Sequence, residues 1–431
     1  MTVDELLDRA MTAHRQKDLS EAADLYGAVL ARDSRHSDAL HYLGLLLHQR
    51  GESEDGASLI ERSLEVAPRQ PDALNNLGNI RRLLGDDEEA LRAYWTAVKL
   101  DAAHSNAWSN MAVIHRNRDE PQTAEKMLKI ALAFDPENFA ARHSLGLTYV
   151  DMEEFERAEE TIRALIREGR HEATVALLYA NILNHFGRPD QALNVLMEWR
   201  EKDPANPVVA HHLEAQRGAN PAAASDAYIR QTFDGFAGSF DGVLKGLDYA
   251  APAAMAELIS VLCAGREIGA AVDLGCGTGL LGPLLKPGIA HLTGVDLSPN
   301  MLARARAKGV YDALVEEEIV ACLNAGTAAR FDLATAAEVL NYCGDLQPVF
   351  DAVARALKPG GLFVATHEIL PEKSDPGYRL LVTGRFAQAA GYVEAVAIRA
   401  GLAPRSRKRI PLRKEFGSMI EGIMTAFGKP V

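Results

Sequence analysis

A chain of 431 residues is longer than one ordinary domain, so two or three domains are expected. Its net charge of −13 argues against non-specific nucleic-acid binding, and no apolar run reaches the length of a membrane span. The N-terminus lacks a signal-like apolar segment, and the four widely spaced cysteines form no C-x-x-C pair. We therefore expect a cytoplasmic protein with reduced thiols, without a metal site and without a nucleic-acid or membrane partner.

The first half of the chain contains residue columns that recur every 34 positions. This period predicts a pair of helices per unit, with small residues where the two helices cross closely. Proline recurs at the unit ends because it cannot continue a helix. The members are Gly44, Gly78, Ala112, Gly146 and Ala180 in one column, Ala22, Gly56, Ala90, Ala124, Ala158 and Ala192 in another, and Pro68, Pro136 and Pro204 in the third.

These columns resemble tetratricopeptide repeats over about half of the chain. The resemblance implies about six units over residues 1–213, stacked into a superhelix with a concave groove. Asn76, Asn79 and Asn110 resemble the asparagine ladder by which some arrays of this family hold an extended peptide, since an amide both donates and accepts hydrogen bonds. We expect a protein or peptide in the groove. The alternative is that these residues are ordinary polar side chains of the groove.

The second half of the chain has the pattern of an α/β domain. Small and polar residues at 214–225 predict a linker, and strands and helices alternate over 226–431. Such alternation predicts a doubly wound parallel sheet, with its ligand beyond the carboxyl ends of the strands, where the strand order reverses. The turn in "VDLGCGTG" and Asp296, at the end of the second strand, should therefore be neighbours.

The spacing of this turn indicates which nucleotide binds. Asp296 lies 19 residues after Gly277, the usual position of an acid that binds a ribose. The pattern Gly275-x-Gly277-x-Gly279 differs from the dinucleotide G-x-G-x-x-G, and Asp273 would repel a pyrophosphate. An acid suits S-adenosylmethionine, which carries an ammonium and a sulfonium but no phosphate. A nicotinamide-dependent oxidoreductase is the distant alternative.

Four segments of the second half, "VDLGCGTG", "GVDLSPNML", "FDLATAAEVL" and "LKPGGLF", resemble in order and spacing the motifs of class I S-adenosylmethionine-dependent methyltransferases. With the repeats, the chain resembles the bacterial group of predicted tetratricopeptide-repeat methyltransferases. Its catalytic domain is also similar to the malonyl-carrier-protein methyltransferases. The implied architecture is a repeat superhelix followed by a Rossmann-like doubly wound methyltransferase domain with an N-terminal lid helix.

The resemblance implies roles for single residues around the cofactor. The methionine end would be bordered by Asp273, Gly275, Gly277, Gly279 and Ala337, and the ribose by Asp296. The adenine would meet Leu297, Met301, Glu318 and Ile319, with Glu317 as the alternative acid. The aromatic residues Tyr228, Phe233 and Tyr249 would close the lid, or simply pack between helices.

Catalytic and substrate residues are less defined. His367 and Glu368, at the carboxyl end of the fifth strand, are the best placed candidates for a general base, and the favoured alternative for His367 is a structural histidine. Glu338 would border the substrate, and Arg385 would bind a substrate carboxylate or form a surface ion pair. The basic stretch at 405–414 protects a strand edge with charge or docks an acidic partner.

The sequence thus predicts a methyltransferase whose repeat array recruits a protein or peptide partner or substrate. Two alternatives stay open. One is a scaffold or sensor that binds S-adenosylmethionine without turnover, and the other is a methyltransferase of a small molecule or of a carrier-protein carboxyl group. The fold does not select the acceptor atom.

Overall fold

The computed structural model describes residues 1–169, 173–247, 249–372 and 374–431, and it separates into two compact units, Met1–Leu165 and Ile166–Val431. Residues 170–172 belong to the predicted repeat array and lie outside the described residues. The predicted domain limits, 1–213 for the array, 214–225 for the linker and 226–431 for the methyltransferase domain, stay a prediction.

The first unit is built from helices that pack in consecutive pairs. Pro68 and Pro136 each lie just after the second helix of a pair, as the 34-residue period predicts. The helices are α1 Val3–Arg15, α2 Leu19–Arg32, α3 Ser37–Gln49, α4 Ser53–Val66, α5 Pro71–Leu83, α6 Asp87–Leu100, α7 Ser105–Asn117, α8 Pro121–Phe134, α9 Phe139–Asp151 and α10 Phe155–Arg167, which runs past Leu165.

The small-residue columns lie where the paired helices cross. A Cβ atom on Gly44 would lie 2.6 Å from the carbonyl oxygen of Gly56, and one on Gly78 would lie 2.5 Å from the ring of Tyr94. No real Cβ atom tolerates such distances, so a larger residue would push the helices apart. The predicted helical repeat is confirmed.

The second unit contains further helices followed by a sheet. Its helices are α11 Ala173–His185, α12 Pro189–Lys202, α13 Pro207–Gln216, α14 Asp226–Phe236, α15 Phe240–Gly246, α16 Ala251–Leu262, α17 Gly282–Leu285, α18 Pro299–Ala307, α19 Ile319–Ala325, α20 Gln347–Ala356 and α21 Ala390–Arg399. Its strands are β1 Ile268–Leu274, β2 Ile289–Asp296, β3 Ala313–Glu316, β4 Phe331–Ala336, β5 Leu357–Ile369, β6 Tyr378–Leu380, β7 Phe386–Gln388, β8 Ala403–Glu415 and β9 Ser418–Gly428.

Five strands form the predicted parallel sheet in the order β3-β2-β1-β4-β5. The order reverses between β1 and β4, where Asp273 is paired with Thr335. In a sheet of this kind the crevice for a ligand lies at that reversal, beyond the carboxyl ends of the strands. The Rossmann-like doubly wound fold is confirmed, and it fixes where the site should lie.

The sheet is mixed rather than purely parallel. Strand β9 runs antiparallel to both β5 and β8, and β6 runs antiparallel to β7. The cause for β8 and β9 is local, because the two-residue turn Phe416-Gly417 has positive φ angles of 44° and 74°, which favour a tight hairpin. Strand β8 pairs with β9 alone and so forms an edge, where its exposed basic side chains lie. None of the described helices is long and apolar enough to cross a membrane.

Candidate active site

A cavity of about 590 Å³ opens in the second unit at the carboxyl ends of the first four strands. Each strand supplies residues to its lining just after the strand ends. These are Gly275 and Gly277 after β1, Asp296 and Leu297 at β2, Glu318 and Ile319 after β3, and Ala337 and Glu338 after β4. The fold thus brings together residues that are more than 60 positions apart in sequence.

The glycine turn after β1 is shaped by its backbone. Gly275 and Gly277 have φ angles of +59° and +55°, which residues with a Cβ atom rarely adopt. A Cβ atom on Gly277 would have no neighbour closer than 3.9 Å, so the turn leaves room above it. Its N–H donates a 2.8 Å hydrogen bond to a carboxylate oxygen of Asp296. The turn and the acid therefore form one surface of the cavity.

Asp296 is held by backbone donors. Its second carboxylate oxygen accepts a hydrogen bond from the N–H of Ser298 at 2.9 Å. Burial raises the pKa of Asp296, and the hydrogen bonds from the N–H groups of Ser298 and Gly277 act in the opposite direction. An acceptor fixed in this way suits the hydroxyl groups of a ribose.

Asp273 differs from the sequence interpretation. Its side chain is 2% exposed and is absent from the described cavity lining. One carboxylate oxygen accepts from the hydroxyl of Tyr311 at 2.7 Å and the other from Thr335 at 2.8 Å. Burial raises the pKa of Asp273 to about 6. The geometry assigns Asp273 to holding β1 against its neighbours rather than to direct contact with a ligand.

Two other predicted cofactor residues also support the site from behind. A Cβ atom on Gly279 would lie 2.8 Å from the ring of Tyr311, so this glycine permits close packing. Met301 is fully buried in α18. Neither residue is among those described as lining the cavity.

Of the two candidate acids after β3, the structure favours Glu318. Glu318 lines the cavity and caps α19, since its carboxylate accepts from the N–H of Ala321 at 2.8 Å. Glu317 is not part of the described lining, and its N–H donates to the carbonyl oxygen of Asp296 at 3.2 Å. Glu318 and Ile319 therefore border the cavity beside Asp296.

The predicted lid aromatics line the cavity and also pack on aromatic neighbours. Tyr228, Phe233 and Tyr249 all border it. The ring of Phe233 meets Tyr342 edge-on at 5.3 Å and Phe240 at 6.3 Å between centroids. The sequence offers two interpretations of these aromatic residues, closure over the cofactor or packing between helices. This arrangement is compatible with both.

Polar contacts tie the lid helices α14 and α15 to α18. The carboxylate of Asp234 accepts from the hydroxyl of Ser298 at 2.5 Å and from the N–H of Asn300 at 3.3 Å. Lys308 donates to Asp241 at 2.8 Å. These contacts hold α14 and α15 against both ends of α18.

A buried ionic cluster borders the cavity near Glu338. Arg413 donates to Glu338 and to Glu415, each at 2.6 Å, and also pairs with Glu368. Arg385 donates to Glu368 at 2.6 Å and to both oxygens of Glu415 at 2.6 and 2.7 Å. Burial raises the pKa of Glu338 to about 7 despite Arg413. Its φ of +56°, unusual for a non-glycine residue, marks a strained position.

The charged side chains of the cavity lining indicate which class of ligand fits. The described lining includes five carboxylates, two guanidinium groups and no lysine. Both guanidinium groups are already paired with carboxylates, so nothing there would neutralise a pyrophosphate. This excess of acid fits a cationic nucleoside. No group of three or more potential metal ligands occurs among the described residues. The acidic members are Asp226, Asp296, Glu318, Glu338 and Glu415, and the basic members are Arg385 and Arg413.

The structure does not support a catalytic role for His367 or Glu368. His367 is fully buried in β5, its Nδ1 lies 3.2 Å from the carbonyl oxygen of Glu368, and burial lowers its pKa to about 4. Neither side chain is in the described lining. Glu368 instead forms ion pairs with both Arg385 and Arg413. The sequence alone does not reveal that His367 is buried in the sheet.

Arg385 also differs from its interpretation. It lies in the turn before β7, and its guanidinium group is paired with the carboxylates of Glu368 and Glu415. It is neither a surface ion pair nor an uncompensated cation that awaits a carboxylate. Gln388, in β7, is fully buried and donates to the carbonyl oxygens of Leu340 and Cys343 at 2.8 Å.

The three asparagines of the predicted ladder lie on α5 and α7 of the first unit. Asn110 donates to the side-chain oxygens of Asn75 and Asn79, both at 2.9 Å. The amide nitrogen of Asn76 lies 2.9 Å from Nε2 of His41. These amides are thus hydrogen-bonded within the unit, so a peptide would have to compete with those bonds.

Sequence reasoning missed several cavity residues. Arg413 belongs to the basic stretch interpreted as edge protection, but a bulge between Pro411 and Arg413 shifts the strand register, and Arg413 is buried. Leu177, Asn181 and His212 come from helices that were assigned to the repeat array. No local sequence signal identifies either contribution.

Family models match both halves of the chain. The model described as "Methyltransferase domain" matches residues 272–365, which include the glycine turn and Glu338. Models described as "Tetratricopeptide repeat" match residues 7–64, 49–107 and 118–182.

Curated relatives match over part of their length. The ubiquinone biosynthesis O-methyltransferase of Xylella fastidiosa (strain 9a5c) is 42% identical over 99 residues, which cover 22% of this chain and 40% of the relative. The malonyl-[acyl-carrier protein] O-methyltransferase of Enterobacter lignolyticus is 33% identical over 101 residues, 23% of this chain and 39% of the relative. This chain thus spans about 40% of the length of the relatives it matches.

A solved structure is similar at a lower level. The N-methyltransferase NodS from Bradyrhizobium japonicum, in complex with S-adenosyl-L-homocysteine, is 20% identical, with a TM-score of 0.37 over 47% of this chain and 99% of that one. That score supports no argument about this site. The family matches, in contrast, coincide with the repeat columns and the glycine turn. The chain therefore contains tetratricopeptide repeats and a methyltransferase domain.

Proposed function

We propose that this protein transfers a methyl group from S-adenosylmethionine to an acceptor bound in the cavity of the second unit. The observation that carries the proposal is the convergence of the glycine turn, Asp296 and Glu318 on one end of that cavity, with Glu338 and the ionic cluster also on its lining. Gly275 and Gly277 would border the methionine part, Asp296 the ribose, and Glu318 and Ile319 the adenine.

An oxygen atom is the acceptor that the relatives favour, since both named relatives are O-methyltransferases. S-adenosylmethionine supplies a methyl group already activated on sulfonium, so a hydroxyl acceptor needs mainly orientation and the loss of its proton. Glu338 borders the cavity beside Ala337 and has a pKa near neutrality. We assign Glu338 as the group that takes this proton. It replaces His367 and Glu368 in that role.

The repeats of the first unit support a second element of the proposal. Arrays of this kind present extended surfaces to protein partners. We propose that the first unit recruits a protein or peptide partner. The partner competes for the amides of Asn76 and Asn110, which are half-buried and lie on the first helices of their pairs.

Label transfer tests the enzymatic proposal. The full chain is incubated with S-adenosylmethionine tritiated on its methyl group and with a cell extract separated into small molecules and proteins. We expect time-dependent labelling of one fraction. Asp296→Ala should reduce it, because loss of a charged acceptor costs about 1.5–3 kcal/mol per hydrogen bond, or about tenfold to a hundredfold in affinity.

The matched control is Glu257→Ala, which removes an exposed acid from α16 of the same unit and should label like the wild type. Saturable cofactor binding without any transfer would favour the scaffold or sensor alternative. Binding of a nicotinamide cofactor with none for S-adenosylmethionine would favour the oxidoreductase.

Partner recruitment is tested by affinity capture. The full chain and its Asn76→Ala, Asn110→Ala double variant are compared for retention of the same proteins at equal concentration. We expect at least one partner to be retained by the wild type and weakened in the variant. Equal retention would exclude the asparagine ladder as the means of binding.

A further inference from the structure

Two helices that precede the sheet form a wall of the cavity. Helix α11 contributes Leu177 and Asn181, and α13 contributes Val208 and His212. Most of α11 lies within a tetratricopeptide-repeat match that ends at residue 182. Both helices belong to the same compact unit as the sheet. Repeat-type helices are thus part of the cavity itself.

This wall is fixed to the turn before β7. Nε2 of His211 lies 2.9 Å from the carbonyl oxygen of Gly384, and its ring stacks on Tyr228 at 3.9 Å between centroids. A Cβ atom on Gly384 would lie 2.7 Å from the ring of His212, and its φ is +80°. Only glycine fits between the turn and α13, so the two elements are positioned together.

The polar groups of the wall are neutral. Burial lowers the pKa of His212 to about 3, so it carries no charge at pH 7. The hydroxyl oxygen of Thr383, beside Gly384, is buried and has no hydrogen-bond partner among the described residues. A buried hydroxyl of this kind costs free energy unless a ligand satisfies it. Leu177 and Val208 add apolar side chains to the lining of the same cavity.

The nearby guanidinium groups offer no net positive charge. Arg385 and Arg413 share three carboxylates, those of Glu338, Glu368 and Glu415. A carboxylate of a ligand would add a fourth acid to a cluster in which three carboxylates already outnumber two guanidinium groups. Burying such an unpaired charge is costly, so the geometry disfavours an anionic acceptor here.

We propose that α11 and α13 form an acceptor subsite that selects an uncharged, largely apolar small molecule bearing a hydroxyl or carbonyl group. Leu177 and Val208 contact its apolar body, and Asn181 and Thr383 hydrogen-bond its oxygen atoms. This subsite rests on the proposed methyltransferase function, and it makes the acceptor a small molecule rather than the partner of the repeat array.

The test compares two probes of equal shape and different charge. 4-Phenylphenol is neutral at pH 7, and 4-phenylbenzoate is an anion. Both are titrated calorimetrically into the full chain, with and without S-adenosylhomocysteine. We expect the phenol to bind at least tenfold more tightly. Leu177→Gln and Thr383→Val should each weaken its binding at least fivefold, whereas Thr174→Gln, at an exposed position of α11, should leave it unchanged.

Three results would overturn the subsite: equal or tighter binding of the benzoate, binding of neither probe, or unchanged affinity for the phenol in both wall variants. The titration of S-adenosylhomocysteine into the same samples reports on the proposed function separately. Its binding should be equal in the wild type and the wall variants. Absence of that binding in the wild type would contradict the methyltransferase, whatever the probes do.

Discussion

Asp273 is the penultimate residue of β1, and its carboxylate is held by the hydroxyl groups of Tyr311 and Thr335. In the sequence, Asp273 suggests a cationic ligand. In the structure, its carboxylate instead holds β1 to neighbouring segments through these two hydrogen bonds. Asp296 and Glu318 line the cavity instead. The residue types of the motif predict the ligand class, but only the fold separates residues that border the cavity from those that support them.

Tyr311→Phe tests this assignment of Asp273. The ring keeps its contact with Gly279, but the carboxylate loses a donor. An acid whose pKa is raised by folding destabilises the folded state once the pH exceeds its unfolded pKa of 3.8, so stability falls as the pH rises from 3.8 to about 6 and levels off above that. We expect Tyr311→Phe to cost about 1.5–3 kcal/mol at pH 8 and less at pH 5, by urea unfolding. An equal cost at both pH values would contradict the assignment.

Glu338 provides a second test at this scale. Its pKa of about 7 predicts that turnover rises between pH 6 and pH 8, as the carboxyl group loses its proton and becomes able to accept one. Glu338→Gln should lower kcat by about a hundredfold or more and remove this rise. Cofactor affinity, measured calorimetrically, should be little changed. A wild-type profile that is flat from pH 6 to pH 8 would remove Glu338 from proton transfer.

At the scale of elements, the helices and central strands follow from periodicity, but the register of β8 does not. Regular alternation that continues from the buried Ile410 and Leu412 would place Arg413 at an exposed position. The bulge before Arg413 breaks the alternation and turns this arginine inward, where it forms ion pairs with three carboxylates. Such a shift depends on pairing with β9, which the sequence of β8 alone does not contain.

Arg413→Met tests how much the buried Arg413 contributes to the stability of the fold. It leaves Glu338 and Glu368 buried beside one fewer cation, and breaking a buried ion pair costs about 3–5 kcal/mol. The matched control is Arg409→Met on the same strand, whose arginine is 67% exposed and pairs with Glu421, so its loss should cost no more than about 1 kcal/mol. Chemical denaturation measures both. Similar losses of unfolding free energy in the two variants would contradict a stabilising role for the buried ion pairs of Arg413.

At the scale of the whole molecule, the sequence predicts both the repeat helices and the methyltransferase domain, because each has a strong period or motif set. It does not predict that α11 and α13 line the cavity. That contribution depends on packing between segments such as His211 and Gly384, which lie 173 residues apart. Long-range contacts of this kind carry no local signal. The boundary between the two compact units, after Leu165, therefore differs from residue 213, where the sequence predicts that the repeat array ends.

The central claim is that the cavity of the second unit binds S-adenosylmethionine, and calorimetric titration of this cofactor into the full chain tests it most directly. We predict saturable binding of one molecule per chain, weakened at least tenfold by Asp296→Asn and unchanged by Glu257→Gln. The account would be contradicted if S-adenosylmethionine did not bind saturably, or if Asp296→Asn bound it as tightly as the wild type.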